Sequence, residues 1–304
     1  MEIKLIKHSK TQLEHFHIHN DIVSAKIYPN LGASIQELSI NGVQIIDGIN
    51  NDLDGLADYA ATYKSSILFP FPNRIKDGAY SYDGMSQQIR INEKELNNAL
   101  HGIVYDKSFE LVSSEASKEV ATIELSYNYD GAQTGFPFPF QLIMKYQISS
   151  IGDLELHFHV KNTGKTAFPM GMGWHPYFIS NKQEECKFSF PSKDHYKCDK
   201  RNIPIETVPT NLPASFVMEN KELDDAYSLD KANCKFETNE YQLELDFGYS
   251  DPTYLQLYTP PHRKSIAIEP MTCIANSFNN KIGLTELPVA KTDSWTIKLG
   301  ARTI

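Results

Sequence analysis

Five short stretches of this chain gather proton-transferring or hydroxyl-gripping side chains where the surrounding sequence is apolar or stiff. The richest is Gly171-Met172-Gly173-Trp174-His175-Pro176-Tyr177-Phe178, one imidazole among two glycines, a proline and three aromatics. Imidazole titrates near neutrality, so His175 can give or take a proton at physiological pH. Pro176 confines the residue before it to extended backbone. Taken alone, His175 is either an acid–base group or a buried histidine at a strand end. The second stretch is Ser265-Ile266-Ala267-Ile268-Glu269-Pro270. Alternation there puts Ile266 and Ile268 on one face and Ser265, Ala267 and Glu269 on the other. On a cleft floor, burial would raise the Glu269 carboxyl toward the range of a general base. On an edge strand the same residue would face water.

Three further stretches supply binding groups. In Phe69-Pro70-Phe71-Pro72-Asn73-Arg74 two prolines stiffen the approach to an Asn–Arg pair, and a guanidinium offers a planar fork of donors for hydroxyl or carboxylate. In Leu100-His101-Gly102 a glycine beside the histidine admits close approach of backbone or ligand. In Leu223-Asp224-Asp225-Ala226-Tyr227 paired carboxylates precede an aromatic, as part of a binding site or as a solvated loop or helix cap. The choice between Asp224 and Asp225 is open at this level.

Strands must position these groups. Period-two alternation recurs over Val120–Tyr127, Phe140–Ile148, Leu154–Val160 and Tyr241–Phe247, again at Leu255/Leu257 and at Ile266/Ile268. Turn pairs such as Asn41-Gly42, Asp77-Gly78 and Asp83-Gly84 separate the runs, and residues 76–90 read as a hairpin turning at Asp83-Gly84. Helix signals are short: Asp54–Ala61, and a weaker one over Glu93–Asn98. No linker or internal repeat interrupts the pattern. The expectation is an all-β fold, a large antiparallel β-sandwich with a few short helices, formed by residues 1–304 as a single domain.

Composition excludes several classes of function. The net charge is −9, and no basic stripe reverses it locally, so nucleic acid is not an expected partner. Cys186, Cys198, Cys234 and Cys273 form no paired metal motif and read as free thiols. No apolar run reaches the length of a membrane span, and the first residues lack the charged head and apolar stretch of a secretion signal, so the expected location is cytoplasmic.

In this order and spacing, Asn73-Arg74, Leu100-His101-Gly102, His175-Pro176-Tyr177-Phe178, Asp224 ahead of Tyr227, and Glu269 resemble the aldose 1-epimerase, or galactose mutarotase-like, family. The resemblance runs from about Asn30-Leu31-Gly32-Ala33 to Asp293-Ser294-Trp295. It implies a β-supersandwich whose concave face holds a monosaccharide, with no cofactor and no metal. It also implies roles: His175 as the acid at the ring oxygen, Glu269 as the base at the anomeric hydroxyl, Arg74 and His101 as sugar-binding residues. Asp224 would grip sugar hydroxyls, and Asn73 stands beside them. The implied activity is anomer interconversion of a free, galactose- or glucose-like aldohexose by a monomer or homodimer. Ile103 stands where the best-known galactose mutarotases tend to carry a second glycine, which leaves the sugar itself open.

Four other readings compete. A non-catalytic sugar-binding or regulatory module would not need a matched acid and base. An epimerase of a modified or phosphorylated hexose would need cations beyond Arg74 and Lys76. A glycoside hydrolase would normally pair two carboxylates. A metal site would have to use His15, His17 and His19, or His157 and His159, each set sharing one strand face. Trp174, Tyr177 and Phe178 are candidates to pack on the apolar face of a sugar ring.

Overall fold

Alternation becomes antiparallel ladder. Phe140–Ser149 pairs with Leu154–Asn162 from Phe140↔Asn162 to Ile148↔Leu154. The pairing buries Phe140, Leu142, Met144, Tyr146 and Ile148 on one face and leaves the intervening polar residues half-exposed on the other. In the structure, a computed structural model that describes residues 1–210 and 212–304, these strands sit in a nine-stranded sheet. That sheet runs from Glu110–Ala116 through Val120–Tyr129 to Thr292–Thr303 and beyond. Every strand pairing among the described residues is antiparallel, as the all-β expectation required.

A second sheet carries the chemistry. It orders Pro204–Pro209, Ser192–Cys198, Asp224–Leu229, Thr253–Tyr258, Ser265–Met271, Gly173–Trp174 and Ile67–Leu68, with Tyr177–Ile179 also paired to Ser265–Met271. Between the layers lies one continuous apolar cluster reaching from Phe16 to Ala301. Ile266 and Ile268 enter it from one face of their strand. Burying each large side chain of this kind stabilises the fold by about 1.5–3 kcal/mol. A five-stranded sheet, Glu2–Lys7 to Val43–Gln44, completes the N-terminal part.

The Asp83-Gly84 hairpin forms as read, between Ala79–Tyr82 and Met85–Gln88. The helix spans Leu53–Thr62, one residue longer at each end than the Asp54–Ala61 signal. Asp52 caps its start by accepting the Gly55 N–H at 2.7 Å, and Tyr63 ends it in the left-handed region. The expected helical turn at Glu93–Asn98 does not form. Glu93 and Asn98 instead exchange two backbone hydrogen bonds of 3.1 Å, and Asn97 adopts φ +55°. The exchange closes the segment as a tight turn, with Asn97 N–H donating to the Lys94 carbonyl at 3.3 Å, and the left-handed Asn97 ends any helical run.

Among the described residues no helix is long and apolar enough to cross a membrane. His15, His17 and His19 do share a face, with ring centroids 6.4 and 4.6 Å apart. No group of three or more His, Cys, Asp or Glu side chains among the described residues is placed to hold a metal ion. His157 engages Thr296 and Gln147 through its two ring nitrogens, and His159 engages Ser294 through Nδ1.

Candidate active site

Glu269 lies on a central strand, with Thr253–Tyr258 on one side and Gly173–Trp174 and Tyr177–Ile179 on the other. The edge-strand reading therefore falls: Glu269 is only 2% exposed. His175 is carried by a backbone clasp, donating its N–H to the Ser66 carbonyl at 3.0 Å while its own carbonyl accepts from Ser65 N–H at 2.8 Å. This clasp brings His175 Nε2 to 3.5 Å from Glu269 Oε1. Tyr177 stacks beside the imidazole with ring centroids 5.1 Å apart and planes 10° from parallel. His175 Nδ1 and Glu269 Oε2 are buried without a protein partner. Such unpaired buried atoms cost stability unless a ligand or water meets them.

Asn73 and His101 are locked together. The His101 N–H donates to the Asn73 carbonyl at 2.8 Å, and the Asn73 N–H donates to His101 Nδ1 at 3.3 Å. With Nδ1 accepting, the neutral ring carries its proton on Nε2. Both residues adopt positive φ, +56° and +61°, and Gly102 continues at +75°. A Cβ on Gly102 would lie 2.1 Å from the Phe69 carbonyl oxygen, so the glycine is required for the close approach read from the sequence. The helix end adds Tyr63, whose ring centroid is 4.9 Å from that of His101.

The six residues singled out in the sequence (Asn73, Arg74, His101, His175, Asp224 and Glu269) line one cleft of about 270 Å3. Asp224 stands at its exposed rim, with Gln256 Nε2 donating to its carboxylate at 2.9 Å. Asp225 leaves the cleft and accepts from or donates to nothing there, pairing with His195 at 2.8 Å. Adjacent strand residues alternate faces, which separates the two carboxylates. Trp174 and Phe178 are fully buried in the core, so the expectation that they could pack on a sugar ring is corrected; of the three aromatics only Tyr177 reaches the cleft. A larger groove of about 700 Å3 passes Arg90, Asn92, Tyr105 and Lys107, but neither His nor Glu lines it.

Among the lining residues that escaped the sequence reading are Gln256, Glu93, Tyr63 and Tyr258. Gln256 had a usable signal, being a polar residue between Leu255 and Leu257, whose side chains turn to the core. It lies opposite Glu269 in register, accepts from Asn73 Nδ2 at 3.2 Å and so ties Asn73 to Asp224. Glu93 had none, since its significance comes from Arg74, which meets it across a fold-back of the chain.

Burial dominates the electrostatics. It pushes the Glu269 carboxyl well above the ordinary carboxylate range, with the nearby Asp224 charge adding to the rise. It lowers His175 to about 3 and holds His101 well below the usual imidazole value. Burial therefore favours the neutral form of both groups. Stability follows with opposite signs. The raised Glu269 contributes stability that is full below its unfolded value near 4.5 and is lost as pH rises through its folded value. The depressed His175 contributes stability present above 6.5 and lost as pH falls toward about 3. Glu269→Gln is accordingly expected to stabilise the fold at neutral pH, by on the order of 1 kcal/mol. Urea unfolding at pH 5 and pH 8 checks this: the gain should be larger at pH 8.

The fold is an antiparallel β-sandwich with a buried imidazole–carboxyl pair in a polar cleft, groups able to give and take a proton. The chain matches the aldose 1-epimerase family model over residues 14–300 and belongs to that family. It is 26% identical to the uncharacterized protein YihR of Escherichia coli K12 over 271 residues, covering 86% of this chain and 85% of that one. Its fold is similar to that of a galactose mutarotase-like protein from Clostridium acetobutylicum, with a TM-score of 0.89, 22% identity and coverage of 100% and 99% of the two chains. It is also similar in fold to galactose 1-epimerase from Lactobacillus acidophilus NCFM, with a TM-score of 0.83, 16% identity and 99% of each chain covered. The family acts on sugars.

Proposed function

We propose that this protein interconverts the α and β anomers of a free aldohexose, with residues 1–304 acting as one domain around its continuous core. The observation that carries the reading is the His175–Glu269 pair, 3.5 Å apart and buried, in a cleft whose other walls are hydroxyl-binding groups. Hemiacetal opening needs a base at the anomeric hydroxyl and an acid at the ring oxygen. Glu269 as carboxylate takes the hydroxyl proton, the ring C–O bond breaks, and His175 as imidazolium protonates the departing ring oxygen. The open-chain aldehyde then rotates about C1–C2 and presents its other face. Closure runs the same two transfers in reverse.

The proton count explains how a neutral resting pair serves this chemistry. Carboxylate plus imidazolium holds one proton, as does carboxylic acid plus neutral imidazole. Moving that proton across the pair readies the site without exchange with solvent. Ring opening returns the pair to the neutral form that burial favours. Each positioned acid or base contributes about 10²–10⁴-fold to such a step. Around the ring, His101 offers its Nε2 proton, Arg74 its free N–H groups, and Asp224 and Gln256 accept or donate to hydroxyls, while Asn73 holds His101 and Gln256 in place.

Polarimetry of freshly dissolved α-D-galactose and α-D-glucose tests the reading. Acceleration of mutarotation that is proportional to enzyme concentration is the expected result for at least one of them. A protein that binds either sugar at millimolar concentration without accelerating its anomerisation would instead be the non-catalytic binding module.

A further inference from the structure

Among the described residues lining the cleft, Arg74 is the one Lys or Arg, against three carboxylates, Glu93, Asp224 and Glu269. Its guanidinium is already engaged. Glu93 Oε1 and Oε2 accept from Arg74 Nε at 3.1 and 3.0 Å, and Oε1 accepts from Nη2 at 2.9 Å. Asn73 Oδ1 accepts from Nη1 at 3.1 Å. Of the five N–H donors of a guanidinium, three are thereby used, which leaves one on each terminal nitrogen. The edge formed by Nε and Nη2, the edge best suited to a bidentate anion, is filled by Glu93.

Glu93 is itself held. Asn98 Nδ2 donates to its Oε2 at 2.8 Å, and the reciprocal backbone bonds between Glu93 and Asn98 set its strand-like conformation. Asn98 also accepts from Arg201 Nη2 at 3.2 Å, and Arg201 reaches on to Asp77 at 2.8 Å. Arg74–Lys76 pairs with Asn98–Leu100, placing Arg74 opposite Leu100, one residue before His101. The Arg74 and Glu93 side chains are 14% and 16% exposed. An ion pair at that depth fixes geometry in a way that a surface pair does not.

We propose that Glu93 is the positioning residue that holds Arg74 against the sugar and, by occupying and neutralising its fork, makes the cleft select neutral aldoses over aldoses bearing a carboxylate or phosphate. This inference rests on the proposed epimerase reading of the same cleft. With Arg74 neutralised, an anionic substituent meets Asp224 and Glu269 and finds no free charge to pair with. The two remaining N–H groups suit neutral oxygens, a hydroxyl or a ring ether.

The test compares anomerisation of glucose with that of glucuronate by exchange NMR, using the full chain and its Glu93→Gln and Glu93→Asp variants. Wild-type kcat/KM should favour glucose by about 100-fold or more, the scale of losing one or two charge-assisted bonds and meeting like charge instead. In Glu93→Gln this ratio should narrow at least about tenfold, with a lower KM for glucuronate as Arg74 becomes available to its carboxylate. Glu93→Asp keeps the charge with a shorter reach and should fall between the two. Thermal unfolding identifies a variant that does not fold; should the Gln variant fail, the Asp variant still narrows the ratio. A ratio unchanged in the folded variants, even with both rates reduced together, assigns Glu93 a purely structural role and overturns the proposal. A wild-type protein that accelerates no aldose overturns the epimerase reading, and this inference falls with it.

Discussion

Glu269→Gln is expected to lower kcat for anomer interconversion at least about 100-fold, and His175→Asn by a similar factor. Each substitution removes the transferable proton site; Glu269→Gln keeps the side-chain volume, and His175→Asn keeps a polar group near the Nδ1 position in a smaller side chain. Because the two groups work as one pair with a shared proton, the double variant should lose little more than either single variant. Polarimetry on a sugar that the wild type turns over measures this directly, and near-UV circular dichroism reports whether the cleft is intact. Full rate in both single variants would remove the pair from the mechanism. The Gln variant carries a further signature: it should be less active and more stable at neutral pH, since the carboxyl it replaces is held above its ordinary range by burial. Loss of activity through misfolding would lower stability instead.

The second large effect is expected at Gly102. Alanine there must accept φ +75° and place a Cβ 2.1 Å from the Phe69 carbonyl oxygen, which is backbone and cannot swing aside. Left-handed strain and overpacking together should cost on the order of 3 kcal/mol. The damage should also reach the chemistry. His101 precedes Gly102, and its Nδ1 accepts from Asn73 at 3.3 Å, so displacement of this turn misaims the Nε2 proton offered to the cleft. Urea unfolding should show the loss of stability, and KM for the sugar should rise in whatever fraction remains folded. Stability equal to that of the wild type would mean that the Phe69–Gly102 contact relaxes freely.

Much of this arrangement could be read from the chain before its fold. Period-two alternation identified the strands that carry Glu269 and the core faces of Ile266 and Ile268, because the alternation of side chains is a property of the extended backbone alone. Turn residues located the hairpin at Asp83-Gly84, and the order of the five chemical stretches pointed to the family that the whole-chain comparison then matched. Where local pattern was weak, the reading strayed. Glu93–Asn98 looked helical by composition, yet its backbone bonds and the Arg74 side chain decided otherwise. Trp174 and Phe178 looked available to a ligand, yet both are covered by the opposite layer.

What the sequence by itself determined is the chemistry on offer: an imidazole, carboxylates, a guanidinium, and the strand faces that bear them. What only the tertiary structure decided is which of these meet. His175 and Glu269 lie far apart in sequence and 3.5 Å apart in space because the two short strands flanking His175 both pair with the strand that carries Glu269. Alternation separates Asp224 from Asp225, but packing decides that it is Asp224 that meets the cleft, and the fold-back of the chain brings Glu93 to Arg74. A strand specifies its two faces locally. Whether a face meets core, cleft or solvent depends on the layer packed against it, and burial by that layer also sets where the protons rest.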